Sequence, residues 1–176
     1  MRDDMVIRRE TPDDTAATEA LHDAAFGVPS GRSESVEREL LRALRAEGSV
    51  IDELTFVAEL DGQVVGHVVC SRGSLAGEPS VGLGPIGVRP DHQRQGIGAA
   101  LMMAVVASAE QQAEPAVVLL GDPEYYGFFG FVPASGLGIA SPGEWEDRNF
   151  QAKPLRAWRP QMAGDFRYAP AFDRLG

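Results

Sequence analysis

Gly96 and Gly98 stand where an apolar strand gives way to a long helical pattern, in the run Gln93-Arg94-Gln95-Gly96-Ile97-Gly98. Glycines at such a junction let main-chain N–H groups approach an anion with no Cβ in the way. The helix start behind them adds unpaired donors and the positive end of the macrodipole. Together these features read as a cradle for a pyrophosphate. Arg89 and Arg94 flank the loop and could supply local positive charge. A nucleoside-triphosphate loop is excluded, because no Gly-x-x-x-x-Gly-Lys-Ser/Thr run occurs. The order also differs from the Gly-x-Gly-x-x-Gly of a dinucleotide fold. A second group of reactive side chains, Tyr125 and Tyr126, lies in Gly121-Asp122-Pro123-Glu124-Tyr125-Tyr126-Gly127-Phe128-Phe129-Gly130-Phe131. A phenol is protonated at neutral pH and can donate to a leaving thiolate. It can also simply pack in a core, and residue chemistry alone ranks the two tyrosines equally.

The elements that would position these groups follow from pattern. A first strand is predicted over 5–9. Thr11-Pro12-Asp13-Asp14 opens a helix, with a hydroxyl at the cap, proline in the first turn and acids at the positive end. Gly27-Val28-Pro29 ends it. A second helix begins at Ser33 or Ser35, places Val36, Leu40, Leu41 and Leu44 on one face, and stops at Gly48. Strands over 55–60 and 64–71 are joined by Asp61-Gly62, a hairpin signal. A loop is predicted over 72–80, then the strand 81–88 that delivers the chain to the glycines. The following helix carries its buried stripe at Ile97, Leu101, Val105 and Ser108. A fully apolar strand over 116–120, a short helix capped by Asp122 and Pro123 and running through Phe129, and a strand from Phe131 follow. Beyond residue 134 only one strand, near 150–155, is legible. The reading is one α/β domain.

Val88-x-Pro90-x-x-Gln93-x-x-Gly96-x-Gly98 after a strand resembles the acetyl-CoA-binding signature of the GCN5-related N-acetyltransferases (GNAT). The segment Tyr126-x-x-x-Gly130-Phe131 is similar to the element that closes the acetyl-CoA site in that family. The resemblance spans roughly 6–132, and the Gly-Asp-Pro with paired tyrosines looks like a bacterial branch of small acetyltransferases. It implies an α/β fold with a mixed, mostly antiparallel central sheet, splayed at the acetyl-CoA site and flanked by helices. It further implies a single N-acetyltransferase domain over 1–176, with a core at 5–133 and a C-terminal extension at 134–176. Main-chain groups of Ile86, Gly87 and Val88 would pair with the pantetheine arm. Gln93, Arg94, Gln95, Gly96, Ile97, Gly98 and Ala99 would hold the pyrophosphate. Tyr126 takes the position that often carries the general acid.

Composition sets the outer bounds. The chain has 176 residues, 44% of them hydrophobic and 24% charged, the balance of a globular domain with a full core. No apolar run approaches the ~20 residues of a membrane span, and the N-terminus does not read as a signal peptide. The lone Cys70 cannot form an internal disulfide, which predicts a cytoplasmic protein. A net charge of −10 argues against nucleic acid as a partner. It suits a cationic amine, although solubility alone also accounts for it.

Acetyl transfer needs a neutral amine, a stabilised carbonyl oxygen and a protonated leaving thiolate. Acetyl-CoA is then the cosubstrate, a small-molecule or peptide amine the acceptor, and a homodimer is left open. No metal is expected, since no His or Cys pair has ligand spacing. Several family members carry a glutamate on the strand before the loop, but 81–88 has no carboxylate. The general base stays open among His67, Glu53, Glu59, Ser71 through water, and the terminal carboxylates. His67 also reads as a core histidine, Glu59 as an exposed hairpin residue and His92 as solvated polarity. Cys70, in an apolar strand, reads as a small core residue, so direct attack in a ternary complex is expected. The alternative is a non-catalytic acyl-CoA sensor or interaction module of the same fold. The acceptor side, 16–49 plus the C-terminal segment, carries no readable motif.

Overall fold

The computed structural model describes residues 4–175. Strands Met5–Arg9 (β1), Phe56–Leu60 (β2), Gln63–Leu75 (β3) and Glu78–Val88 (β4) form an antiparallel meander. Ala116–Leu120 (β5) then lies parallel to β4. Phe150–Pro154 (β8) pairs antiparallel with both β5 and the short Val132–Pro133 (β6), giving the order β1-β2-β3-β4-β5-β8-β6. Gly164–Arg167 (β9) pairs with the far end of β3 and with Ile139–Ala140 (β7).

Three helices cover the sheet. Thr15–Phe26 (α1) follows a 3-10 turn over Pro12–Asp14, and Val36–Glu47 (α2) packs beside it. Ser35 caps α2 by accepting from the Arg38 N–H at 3.1 Å. Ile97–Gln111 (α3) takes the opposite face and buries Ile97, Leu101, Met102, Val105, Ser108 and Ala109. Burying apolar side chains of this size contributes roughly 1.5–3 kcal/mol each before conformational entropy is subtracted. The two faces can be read from two glycines. A Cβ on Gly66 of β3 would stand 2.8 Å from Ile97 of α3, whereas one on Gly87 of β4 would stand 3.2 Å from Leu21 of α1. No helix among the described residues is long and apolar enough to cross a membrane.

The sequence expectation fails at 72–80. That segment is no loop: β3 and β4 continue through it as one long hairpin, paired down to Leu75↔Glu78. Ala76 and Gly77 both take positive φ, 50° and 83°, the geometry of a tight two-residue turn that matches strand twist. The glycine, serines and proline that suggest a loop lie within paired strand. Gly73 is needed there because a Cβ would run into the Arg167 carbonyl of β9, which pairs alongside β3. The short helix after Asp122 is Pro123–Gly127 (α4), ending before Phe129.

Candidate active site

Strand β4 changes neighbours along its length. It pairs with β5 only at Val81↔Val117 and Gly82↔Val118. Against β3 the register runs Cys70↔Leu83 and then Val68↔Ile86, so β4 holds one extra residue at Gly84-Pro85. Such a bulge bends the strand and re-aims the residues after it. Beyond it Ile86, Gly87 and Val88 pair with β3 on one edge and, among the described residues, with no strand on the other, which leaves main-chain groups on that edge without a ladder partner.

The chain then turns through Pro90–His92 into the glycine loop. The Gln93 amide donates to the Val88 carbonyl at 3.1 Å and ties the loop to the end of β4. Arg94 and Gly96 both have left-handed backbone, with φ of 61° and 83°. Alternation of this kind turns successive N–H groups inward as an anion nest. The first N–H groups of α3, from Ile97, Gly98 and Ala99, have no partner within the helix and face the same end. Ile97 itself buries its side chain under β3, so it can offer a ligand only its main chain. Gln95 and Arg94 are exposed. Arg89 lies 3.5 Å from Asp91.

Both tyrosines of α4 come to this region, in different ways. A Cβ on Gly98 would stand 2.8 Å from the Tyr125 hydroxyl, so that phenol walls the first turn of α3. The Tyr126 ring lies over Gly121 and edges onto Tyr125 and Phe131, with centroids 4.9 and 6.1 Å away. Burial pushes the Tyr126 phenol up to about 12, so it keeps its proton at neutral pH. Sequence pattern did not signal the part of Tyr125, because its contact with Gly98 exists only after α4 folds back on α3.

The base candidates scatter. Glu53 is exposed, and Glu59 accepts from Arg8 at 3.0 Å on the β1–β2 edge. His92 sits 3.0 Å from Asp91 in the exposed turn. Ser71 is buried with no partner for its hydroxyl. The terminal carboxylate of Gly176 lies outside the described residues. Burial pushes the Cys70 thiol up, away from nucleophilic thiolate.

His67 behaves differently. It is fully buried opposite Gly87, on the α1 face, with its Nδ1 2.8 Å from Nε2 of His22. Its Nε2 lies 3.0 Å from Glu10 Oε1, close in distance but poorly aligned for a hydrogen bond. Glu10 also pairs with Arg45, which in turn holds Thr18 at 2.8 Å and Glu19 at 3.4 Å. His22 is equally buried, stacked under Phe26 at 5.8 Å, and its Nδ1 has no partner. That atom stands 3.2 Å from where a Gly87 Cβ would be. Burial and the adjacent His67 and Arg45 charges pull His22 down to about 3, against a small opposing effect of Asp23. Burial lowers His67 as well, although Glu10 opposes it. Sequence inspection missed His22 and Glu10 entirely. Among the described residues no group of three or more His, Cys, Asp or Glu could hold a metal ion.

Beyond α4 an open cleft of about 640 Å³ lies between 120–124 and 144–149. Its walls include Asp122, Glu124, Glu144, Glu146 and Trp145.

The chain matches the Acetyltransferase (GNAT) family over residues 16–126, from the start of α1 to Tyr126. An uncharacterized N-acetyltransferase of Escherichia coli K12, YhbS, is 35% identical over 130 residues, 72% of this chain and 73% of that protein. The crystal structure of Escherichia coli YhbS in complex with CoA superposes with a TM-score of 0.85 at 29% identity, covering 98% of this chain and 93% of that one. A GNAT family acetyltransferase from Brucella melitensis in complex with acetyl-CoA gives a TM-score of 0.77 at 36% identity, covering 96% and 98%.

Proposed function

The chain belongs to the acetyltransferase (GNAT) family, and on that premise we propose that it transfers the acetyl group of acetyl-CoA to a primary amine by direct attack in a ternary complex. The observation that carries this reading is the open edge of β4 at Ile86–Val88 running straight into the left-handed nest of Arg94 and Gly96. An extended arm along the strand and a pyrophosphate in the nest are the two ends of one ligand. The CoA and acetyl-CoA held by the relatives support the same identification.

In this mechanism main-chain N–H groups at Ile86–Val88 orient the thioester and stabilise charge developing on its carbonyl oxygen. Gln93, Arg94, Gln95, Gly96, Ile97, Gly98 and Ala99 hold the phosphates, chiefly through main-chain donors. The amine nitrogen attacks the carbonyl carbon, the C–N bond forms and the C–S bond breaks. Tyr126, protonated at working pH, gives its proton to the departing sulfur and regains one from solvent. Buried Cys70, with its thiol held protonated, supports direct attack over an acyl-enzyme. The carboxylates of Asp122, Glu124, Glu144 and Glu146 around Trp145 suit an acceptor that carries a cationic amine.

Initial-rate kinetics of thiol release with an amine panel test the proposal. Intersecting double-reciprocal lines are expected. CoA binding without thiol release for any amine would move the reading to an acyl-CoA sensor of the same fold.

A further inference from the structure

The cluster of His22, His67 and Glu10 has no role in the mechanism above. It begins at the strand where the thioester is proposed to lie and ends at the protein edge. Gly87 and His67 are direct cross-strand partners, and α1 sets His22 over both. Because residue 87 has no side chain, His22 Nδ1 packs against the Gly87 backbone on this face and finds no hydrogen-bond partner there. Leu21 at 3.2 Å and Phe26 at 3.3 Å bound the same point, measured from the absent Cβ. Phe26 is the outer wall, 46% exposed.

The tautomers follow from the contacts. A bare lone pair on His67 Nε2 would face the Glu10 carboxylate at 3.0 Å, so Nε2 carries the proton. His67 Nδ1 is then an acceptor, and the 2.8 Å contact requires His22 Nε2 to donate to it. His22 is therefore left with an unprotonated Nδ1, fully buried, without a partner and turned toward Gly87. The opposite assignment would bury an unsatisfied N–H there and set two acceptors against each other at Glu10, and both features are costly.

We propose that His22 is the general base of the proposed acetyl transfer, with His67 and Glu10 as positioning residues that fix its tautomer and hold the proton until the thiolate has left. The inference rests on the acetyltransferase reading and adds the group that the strand 81–88 lacks. The amine attacks through its lone pair, and the adduct nitrogen gives one N–H proton to His22 Nδ1. The Nε2 proton of His22 moves to His67 Nδ1 and the Nε2 proton of His67 moves to Glu10, which holds it beside Arg45. Once the C–S bond has broken the protons shift back, and His22 Nδ1 returns its proton through solvent to Tyr126, restoring both starting tautomers. The thiolate takes its proton from Tyr126, so transfer from a neutral amine consumes and yields no net proton. The groups that set the charge state of the pair are Glu10, Asp14 and Asp23, which favour the imidazolium, and Arg45, which opposes it. β4 sets Gly87 against His22, and its residues 81–88 carry no titratable side chain. A depressed imidazole keeps its lone pair free at any working pH and cannot store the proton, which is why a second acceptor is required.

Two measurements decide it. Ring nitrogen NMR of the wild-type protein at neutral pH should find His22 neutral with its proton on Nε2. A proton on Nδ1 would overturn the relay. Steady-state kinetics with acetyl-CoA, using an amine acceptor or water in slow hydrolysis, then compare His22→Gln, Glu10→Gln and Glu10→Asp. His22→Gln should lower kcat by ~10²-fold or more with acetyl-CoA affinity unchanged by calorimetry. Glu10→Gln should lower kcat and move the acid limb of its pH profile, and Glu10→Asp should restore both in part. A folded His22→Gln protein that binds acetyl-CoA and keeps wild-type kcat and pH profile refutes the relay alone. A wild-type protein that does not bind CoA refutes the acetyltransferase reading and the relay with it.

Discussion

Replacing Gly96 by valine isolates the glycine cradle from the rest of the fold. Gly96 has φ 83° and ψ 7°, and nothing stands within 4 Å of where its Cβ would be. In the free protein a side chain there meets open space, so its cost is conformational. Left-handed backbone costs an L-residue about 1–2 kcal/mol, and a β-branched side chain lies at the upper end. In a chain of this size each kcal/mol lowers Tm by roughly 2–4 °C, so Gly96→Val should melt about 4–8 °C early and still be folded at room temperature. Binding should suffer more. The open space is where the phosphates are proposed to lie, and relaxation of the backbone turns the Ile97 N–H out of the nest. Losing one charge-assisted hydrogen bond costs about 1.5–3 kcal/mol, or roughly 10–100-fold in Kd for CoA. Calorimetric titration with CoA beside a thermal melt gives both numbers. Gly136→Ala is the control, since it has ordinary φ and no neighbour within 4 Å. Gly98→Ala separates contact from conformation, because its Cβ presses on the Tyr125 hydroxyl. A folded Gly96→Val protein that binds CoA with wild-type affinity would refute the cradle.

Tyr126→Phe keeps the ring and removes the proton, so kcat should fall by ~10²-fold with acetyl-CoA affinity unchanged, and unchanged turnover under rate-limiting chemistry would reduce Tyr126 to packing. Tyr125→Phe should instead weaken CoA binding and affect kcat less, as its hydroxyl borders the first turn of α3. The −10 chain should not retard duplex DNA at moderate salt, and a salt-sensitive gel shift would contradict that. Stability should decline on acidification in two stages. His22, lowered from 6.5 to about 3, is neutral in the folded chain, so below pH 6.5 the unfolded chain binds the extra proton and stability is lost as pH falls toward 3. Asp14, drawn from 3.8 to about 2 chiefly by its hydrogen bond from Arg8, contributes about 2 kcal/mol above pH 3.8 that is lost as pH falls through 2. Denaturant melts across pH measure both, and an Asp14→Asn protein that keeps the second stage would assign it elsewhere.

What the sequence determines by itself is what is set by neighbours along the chain. The span of β1, the Gly48 stop of α2, the buried stripe of α3, the span of β5 and the Asp122 start of α4 depend on a few adjacent residues, and each agrees with the structure, which also settles the α2 cap on Ser35 rather than Ser33. The glycine loop belongs to the same class, since left-handed backbone at Gly96 and a helix starting at Ile97 are local properties. The open edge of β4 is half legible. Gly84-Pro85 signals an irregular strand, but the two-residue contact with β5 that leaves Ile86–Val88 unpaired depends on where β5 docks. The hairpin through 72–80 is hidden because Gly73 makes room for the paired β9 and Pro79 sits within the β3–β4 pairing, rather than either marking a loop. Strands β7 and β9 are too short to carry a period of their own. Only the tertiary structure decides the histidine cluster. His22 and His67 are 45 residues apart, and Glu10 comes from the turn after β1. No single segment contains two of the three groups. They meet because the β1-β2-β3 meander brings Glu10 and His67 to one face of the sheet and α1 lays His22 across it, where burial and a missing Cβ at Gly87 give an ordinary imidazole a direction.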